Sequence, residues 1–396
     1  MRSGSRFAIA IVILAAAANV HAQQRQPSGK NSQRSNQYYQ QRGQRNAAQA
    51  QQGNTDLAAR PQRAGDQVPP TKEQELSSIF SQIVISGLTN PTGVAVQPTS
   101  NQVYIADSGA GRIVRLNDVP GQYKVEPVIT GFPQEGYGKN PTYKIGPLGL
   151  AFVNKYTLAV GGGGLPAGED TVGIYRISQV GAIDAADILQ QLGPLPEGGD
   201  AKVAVGNYFG LVATPTALYV TCDSADRRGW IAKADVAGGN LEKLTPFVKP
   251  DDTLNLEGPT SIAIGRRGEM IVSQMGEPNV PADSHLTFYE LQTGKAYLDV
   301  AAKLNDVTSI AVSPQTGRIY ALDFSWIAPN EGGLYRLDLT KDGEEWICKP
   351  ALLMPLDRPS AMAFSPEGEL FITTFGSHSQ EHKGGLLVRI YNDSKL

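Results

Sequence analysis

Short apolar runs broken by turn residues organise this chain; helical stripes do not. Residues 88–117 read LTNPTGVAVQPTSNQVYIADSGAGRIVRLN. Gly93-Val94-Ala95-Val96, Val103-Tyr104-Ile105-Ala106 and Arg112-Ile113-Val114-Arg115-Leu116 are the apolar runs. Gln97-Pro98-Thr99-Ser100-Asn101 and Asp107-Ser108-Gly109-Ala110-Gly111 separate them. β-branched and aromatic runs bounded by Gly, Pro, Asn and Ser predict strands of an antiparallel meander. One such unit cannot bury both of its faces, so it needs copies beside it.

The pattern returns five times. A small residue in the first run marks the period: Ala95, Ala151, Val212, Ala263, Ala311 and Ala363, spaced by 56, 61, 51, 48 and 52 residues. Strand-only units repeating near every 50 residues predict a propeller, with one four-stranded sheet per repeat. Three strands are plain in each repeat. Fourth strands are expected at 124–130, 186–192 (with a helical turn as the alternative), 241–248, 296–301 and 346–354. The sixth repeat has no segment left for its fourth strand. The unused run Ile79-Phe80-Ser81-Gln82-Ile83-Val84-Ile85 would fill that place and close the ring, removing an exposed sheet edge. The expected fold is therefore all-β, a six-bladed β-propeller over residues 74–396 closed by an N-terminal strand.

The preceding residues are of another kind. Arg2 and Arg6 precede an apolar stretch from Phe7 to Ala18, and Val20-His21-Ala22 offers small residues for cleavage before Gln23. Residues 1–22 read as a signal peptide, too short and wrongly flanked for a spanning helix, so a secreted or periplasmic location is expected. No later segment is apolar long enough to span a membrane. Residues 23–73 form a Gln-rich basic linker. Its stretch 23–70 holds 13 Gln, seven basic and two acidic residues, and almost no large aliphatics, so it cannot offset its ordering entropy and is expected to be disordered. Residues 71–396 hold 26 basic against 36 acidic residues, a net charge of −10, which argues against specific nucleic-acid binding. Cys222 and Cys348 fall in different repeats and read as two buried free thiols.

Pro91-Thr92-Gly93-Val94-Ala95-Val96, Val103-Tyr104-Ile105-Ala106-Asp107-Ser108-Gly109 and Gly111-Arg112-Ile113 resemble an NHL repeat. Ser313-Pro314-Gln315-Thr316-Gly317 and Ser365-Pro366-Glu367-Gly368 carry the related Pro-x-Gly turn. The resemblance is to six-bladed propellers of the NHL, gluconolactonase-like (senescence-marker protein) and streptogramin-lyase group, and it covers residues 74–396. It implies the fold far more than an activity.

Antiparallel turns alternate faces, so the segments leading into first strands share one face with the loops joining second to third strands. Those loops are long in repeats two to six, and long loops on a rigid scaffold are where binding is usually built. The leading positions hold Thr89, Ile145, Asn207, Glu257, Asn305 and Asp357, with Asp306 beside Asn305; the register at Asn207 is open by one residue. Asn207, Glu257, Asn305 and Asp357 are candidate ligands for Ca²⁺ or another divalent cation, which needs convergent carboxylate and amide oxygens. The alternative is that they solvate the channel mouth or cap turns. Glu257-Gly258-Pro259 is similar to the Glu-Gly-Pro that opens the gluconolactonase metal site, but Asn305-Asp306-Val307 and Asp357-Arg358-Pro359 lack the Gly of that family's other ligands.

Asp306, Trp326 and Tyr137 are candidate ligand-binding residues. His378-Ser379-Gln380-Glu381-His382 matches H-x-x-E-H without a helix to present it, and we read it as a chance match. Of the three histidines beyond the signal, none occupies a leading position, so streptogramin-lyase activity does not carry over. Asp107 and Asp323 end second strands and read as turn caps. Three classes stay open. The first is an exported binding module for a small molecule, glycan or protein. The second is a metal-dependent lactonase or hydrolase at the central channel, and the third a structural cell-envelope protein. The fold cannot choose among them.

Overall fold

The computed structural model describes residues 79–137, 143–166, 168–177, 180–195, 205–224, 229–250, 258–277, 280–376, 384–391 and 396. The signal, the linker and the H-x-x-E-H loop lie outside the described residues. The rest is a six-bladed β-propeller. Blade one runs outward from the axis through Gly93–Val96, Val103–Asp107, Arg112–Asn117 and Lys124–Thr130, with Ile183–Asp184 paired parallel to its rim. Blade two uses Leu150–Asn154, Thr157–Gly161, Val172–Arg176 and Gln190–Leu192. The alternative of a helical turn before Gln190 gives way to this short rim strand. Blade three uses Val205–Ala213, Ala217–Ser224, Trp230–Ala237 and Thr245–Val248. Blade four uses Pro259–Ile264, Met270–Gln274, His285–Tyr289 and Ala296–Ala301, and blade five Val307–Val312, Ile319–Asp323, Gly333–Asp342 and Glu345–Pro355. Blade six joins Pro359–Phe364, Leu370–Thr374 and Gly385–Ile390 to the N-terminal strand Ser81–Leu88. That strand pairs antiparallel with Gly385–Ile390, Ile85 facing Leu387, as the repeat count requires.

Alternation along each strand explains why the runs are apolar without a polar face. Val103 and Ile105 point into a core shared with blade six, and Tyr104 and Ala106 into a core shared with blade two. Every pair of neighbouring blades encloses one such core. Each fully buried Val, Leu, Ile or Phe there contributes about 1.5–3 kcal/mol. Cys222 and Cys348 are free and buried in two of these cores.

A ring of hydrogen bonds ties the innermost strands together. The hydroxyls of Thr92, Thr260, Thr308 and Ser360 occupy one register position, and each donates to a carbonyl of the next blade: Pro147, Val307, Pro359 and Pro91. Thr221 donates to the Thr260 carbonyl (3.1 Å), joining blades three and four. The Gly149 N–H donates to the Tyr208 carbonyl (3.2 Å), joining two and three. One position further on, blades one to three carry glycine because the next strand is too close for a side chain. A Cβ on Gly93 would lie 2.2 Å from the Leu148 carbonyl oxygen, and one on Gly149 would lie 1.9 Å from that of Phe209.

One feature of the fold has no counterpart in the repeat. A hairpin, Glu135–Tyr137 paired with Tyr143–Ile145, sits between blades one and two and accounts for part of their wide spacing.

Ser360→Ala removes the bond that joins the last blade to the first. It is expected to cost about 1–3 kcal/mol, because a buried carbonyl loses its donor. Urea unfolding should give a lower midpoint with an unchanged slope. An unaltered midpoint would mean that ring closure does not draw on this hydroxyl.

Candidate functional site

The leading segments and the second-to-third loops do share one face. The N–H groups of Met275, Phe324 and Phe375, each just past a second strand, donate to the carbonyls of Gly258, Asp306 and Arg358 in the leading segments. These bonds also settle the register. Asn207 has a left-handed backbone (φ 54°), as do Asn90, Gly258 and Arg358. It therefore matches Asp306 and not Asn305, and the position equivalent to Glu257, Asn305 and Asp357 in blade three is Gly206.

The same three bonds direct Met275, Phe324 and Phe375 toward the axis. There they meet Tyr143 and Ile145 of the hairpin, Leu148 of blade two, and the partly buried Phe209 and Trp326. Side chains from five blades can form one cluster only where the blades converge, so this group seals the upper end of the channel. Phe324 stacks on Trp326 at 4.8 Å between centroids and meets Phe375 edge-on at 5.5 Å. Tyr143 lies 6.0 Å from Trp326 and 5.9 Å from Phe375. Burial pushes the Tyr143 phenol up to about 12, with Arg358 and Asp357 beside it. The hairpin is fastened to blade one: Asn90 donates to the Lys144 carbonyl, and Gly146 N–H to the Ser108 hydroxyl.

The expected ligands fare differently. The Asn305 amide is used up in loop contacts: it donates to Ser325 (2.7 Å) and Glu331 (3.0 Å) and accepts from Ala282 N–H (3.0 Å). Asp357 pairs with its neighbour Arg358 at 2.8 Å and lines a pocket of about 510 Å³ on the shoulder between blades five and six. Glu257 lies outside the described residues. Asn207 is buried, and its Oδ1 has no partner among the described residues. A hard cation takes six to eight oxygens. Among the described residues no three His, Cys, Asp or Glu side chains come together as a metal site. The described donors alone do not assemble a cation cage.

Asp306 is the most unusual of the residues singled out from the sequence. It is 1% exposed. Its Oδ2 accepts from Trp326 N–H at 2.6 Å, and its Oδ1 has no partner among the described residues. Burial, with Asp323 and Asp283 nearby, pushes its pKa up to about 7. Asp323 accepts from the N–H groups of Asn305, Asp306 and Ser325. Asp107 accepts from Thr89 N–H and pairs with Arg112. Asp323 caps its own turn at Ser325, as read from sequence, and the leading segment too; Asp107 makes no cap bond to its own turn and holds the leading segment at Thr89 instead. Trp326 belongs to the seal. Tyr137 ends the first strand of the hairpin, opposite Tyr143.

Sequence reasoning missed the seal and the hairpin. A signal for the seal was present: Gln274-Met275, Asp323-Phe324 and Thr374-Phe375 each place a large apolar residue directly after a strand end, where a loop should begin. It missed Asp170 too. That carboxylate, in the long blade-two loop, accepts from Asn207 and Leu165 N–H groups, and burial pushes its pKa up to about 6.

No protein-family model matches this chain, and no curated protein matches it. Its fold is shared with solved structures. A gluconolactonase from Xanthomonas campestris superposes with a TM-score of 0.53 at 13% identity, over 79% of this chain and 89% of that one. A luciferin-regenerating enzyme gives 0.52 at 11% identity, over 79% and 95%. The PQQ-bound aldose sugar dehydrogenase of Streptomyces coelicolor gives 0.51 at 12% identity, over 79% and 98%. At these identities the likeness is one of fold: the chain is a six-bladed propeller of the architecture found in gluconolactonases and sugar dehydrogenases.

Asp306 makes stability depend on pH. Its proton is held to about pH 7 in the fold, whereas an unfolded carboxyl loses it near 3.8. Between those values only the unfolded state ionises, so the stability this group contributes falls as pH rises through the window and stays low above it. Asp306→Asn keeps an acceptor for Trp326 and removes the charge. It should match the wild type near pH 4 and exceed it by at least about 1 kcal/mol at pH 8. Parallel stability curves for the two proteins would refute the raised pKa.

Proposed function

We propose that this protein is a binding module, exported and carried on the Gln-rich segment, which engages its partner through the long loops of blades two to six. One observation carries this reading: the channel mouth is filled by packed aromatic and aliphatic side chains. Around it, Asn305 and Asp357 are committed to loop contacts and an ion pair. A reaction centre at the axis needs an open place for substrate beside its polar groups. Here the loop-side end of the axis is closed and the loops around it are long. Trp326, half-buried at the edge of the seal, is the aromatic best placed to meet a ligand. The basic n-region, apolar stretch and Val20-His21-Ala22 support export, and mature protein is expected to begin at Gln23 by N-terminal sequencing.

A second reading is a cation-dependent lactonase or hydrolase using Glu257, Asn305, Asp357 and Asn207. It draws on Asn207 Oδ1 and Asp306 Oδ1, buried acceptors without described partners at one register in blades three and five, on either side of the blade that Glu257 precedes. The gluconolactonase named for the Xanthomonas structure lends it a substrate class, sugar lactones.

The two readings separate in one experiment. Chelator-stripped protein is melted with and without Ca²⁺, Mn²⁺ and Zn²⁺, and lactone hydrolysis is followed under the same conditions. The binding module gives no turnover above the uncatalysed rate and no cation-dependent rise in Tm. A rise that tracks cation concentration, disappears in Glu257→Gln and accompanies lactone turnover would overturn it in favour of the hydrolase.

A further inference from the structure

Radial packing leaves each propeller blade an edge at its outermost strand, and such edges are normally short or protected. Five of the six here are. Lys124–Thr130 of blade one holds Lys124, Glu126 and Pro127, and Ile183–Asp184 covers its far end. Gln190–Leu192 of blade two has three residues. Thr245–Val248 of blade three has four, Pro246 among them. Ala296–Ala301 of blade four carries Asp299, and Glu345–Pro355 of blade five carries Glu345, Lys349, Pro350 and Pro355.

Blade six is the exception. Its outermost strand, Ser81–Leu88, has eight residues without a charge or a proline. No strand among the described residues pairs with its outer side. Two register shifts, between Ile83 and Ile85 and between Ser86 and Leu88, bend its upper half, so Ser81–Ile83 is the straight stretch of the edge. Ile83 is 58% exposed. It borders a cleft of about 770 Å³ between blades five and six, whose wall is mostly apolar and includes Met354, Leu356, Leu386 and Val388. The charges around this edge are already paired. Arg358 holds Asp357 at the upper end of the cleft, and Arg389, on the neighbouring strand, holds Asp118 and Glu369.

We propose that the rim of blade six is a dimer interface. Ser81–Ile83 of two copies pair antiparallel about a two-fold axis at Gln82, and Ile83 of each copy covers part of the other's cleft. The register follows from the pleat. Residues opposite each other in an antiparallel pair share a face, and an axis at Gln82 sets Ile83 of one copy opposite Ser81 of the other, both of them cleft residues. Charge selects the occupant. Residues 71–396 carry a net −10, which keeps two copies apart except where they meet through an uncharged edge. A basic foreign strand would find no unpaired acid at that edge to reward it. Ser81 lies opposite Ile390 and Leu88 opposite Gly385, so the strand runs toward the long-loop face. Antiparallel pairing therefore turns the two long-loop faces opposite ways. The dimer does not rest on the binding-module reading, but it would give such a module two ends.

The test is sedimentation equilibrium on the mature protein, with its concentration raised from about 1 μM to about 1 mM. The average mass should climb from one chain toward two and stop there, since each copy has one such edge. Added salt should strengthen the dimer, because it screens the repulsion between two acidic bodies. Ile83→Lys puts a charge on the edge and should hold the protein at one chain. Ser81→Lys should do the same. It changes an exposed residue and should keep the wild-type urea midpoint, so its loss of the dimer is not a loss of fold. The proposal is overturned if the mass stays at one chain throughout or grows past two. It is overturned equally if the dimer survives either lysine variant, or if salt dissociates it, which would mark an ion-paired interface elsewhere.

Discussion

Closing a ring of six twisted sheets is the constraint on which the rest of this structure depends. Each blade buries one face against the blade before it and one against the blade after it, so an open end would leave a whole core face in water. The hydroxyl ring fixes the spacing at the axis, where the blades are closest. Thr92, Thr260, Thr308 and Ser360 hold neighbouring strands at hydrogen-bond distance, and Gly93 and Gly149 let strands approach where no side chain fits. Ser81–Leu88 then completes blade six with a strand from the other end of the domain. Such a pairing is of very high sequence separation, and its loop-closure cost falls on the last contact to form.

Much of this was legible in the residues because it repeats. The small residue in each first strand gave the blade count, and the missing sixth rim strand pointed to residues 79–85, within two or three residues of the observed Ser81–Leu88. The hydroxyl position was also on view as Pro91-Thr92, Pro259-Thr260, Val307-Thr308 and Pro359-Ser360. What repetition does not encode was lost. The hairpin ending at Tyr143–Ile145 occurs once, so no other copy could expose it. The seal joins residues from five blades, and its members look like ordinary loop hydrophobics until the fold brings them to one axis. The candidate ligands failed in a related way. Polar residues at leading positions were correctly placed on one face, but a leading N–H must be bonded before its side chain can serve anything else. At Asn305 both the backbone and the side chain are spent on that task.

Loop anchoring also explains the buried carboxylates. Asp107, Asp170 and Asp323 each accept from N–H groups of a leading segment, where a sharply turned backbone leaves donors without strand partners. Burial raises all three pKa values and the N–H bonds pull them down again. The fold accepts a desolvated carboxylate because orphaned backbone donors would cost a comparable amount. Asp306 departs from this pattern. It accepts one N–H, from Trp326, and its second oxygen is left over beside two other acids. A residue that costs stability without completing a cap is the place where selection for something other than folding is easiest to see.

The seal and the shaft below it, lined by the first strands of all six blades, divide the axis into two chemical environments, and their order matters. An open six-bladed channel would expose its inner hydroxyls to solvent from both ends, and water would compete for every bond in the ring. Packing Tyr143, Phe324, Phe375 and their neighbours across the upper end removes that competition where the blades converge most tightly. It also separates the long loops from the shaft, so contacts made by the loops need not disturb the ring that holds the blades. Because Phe209 and Leu148 fill the places that hold hydroxyls in the other four blades, the seal rests on the same register that closes the ring. A substitution that loosened Phe209 would thus reach both ends at once, opening the mouth above and removing the roof of the shaft below, whereas changes at Ser261 or Ser309, in the shaft wall, leave the seal in place.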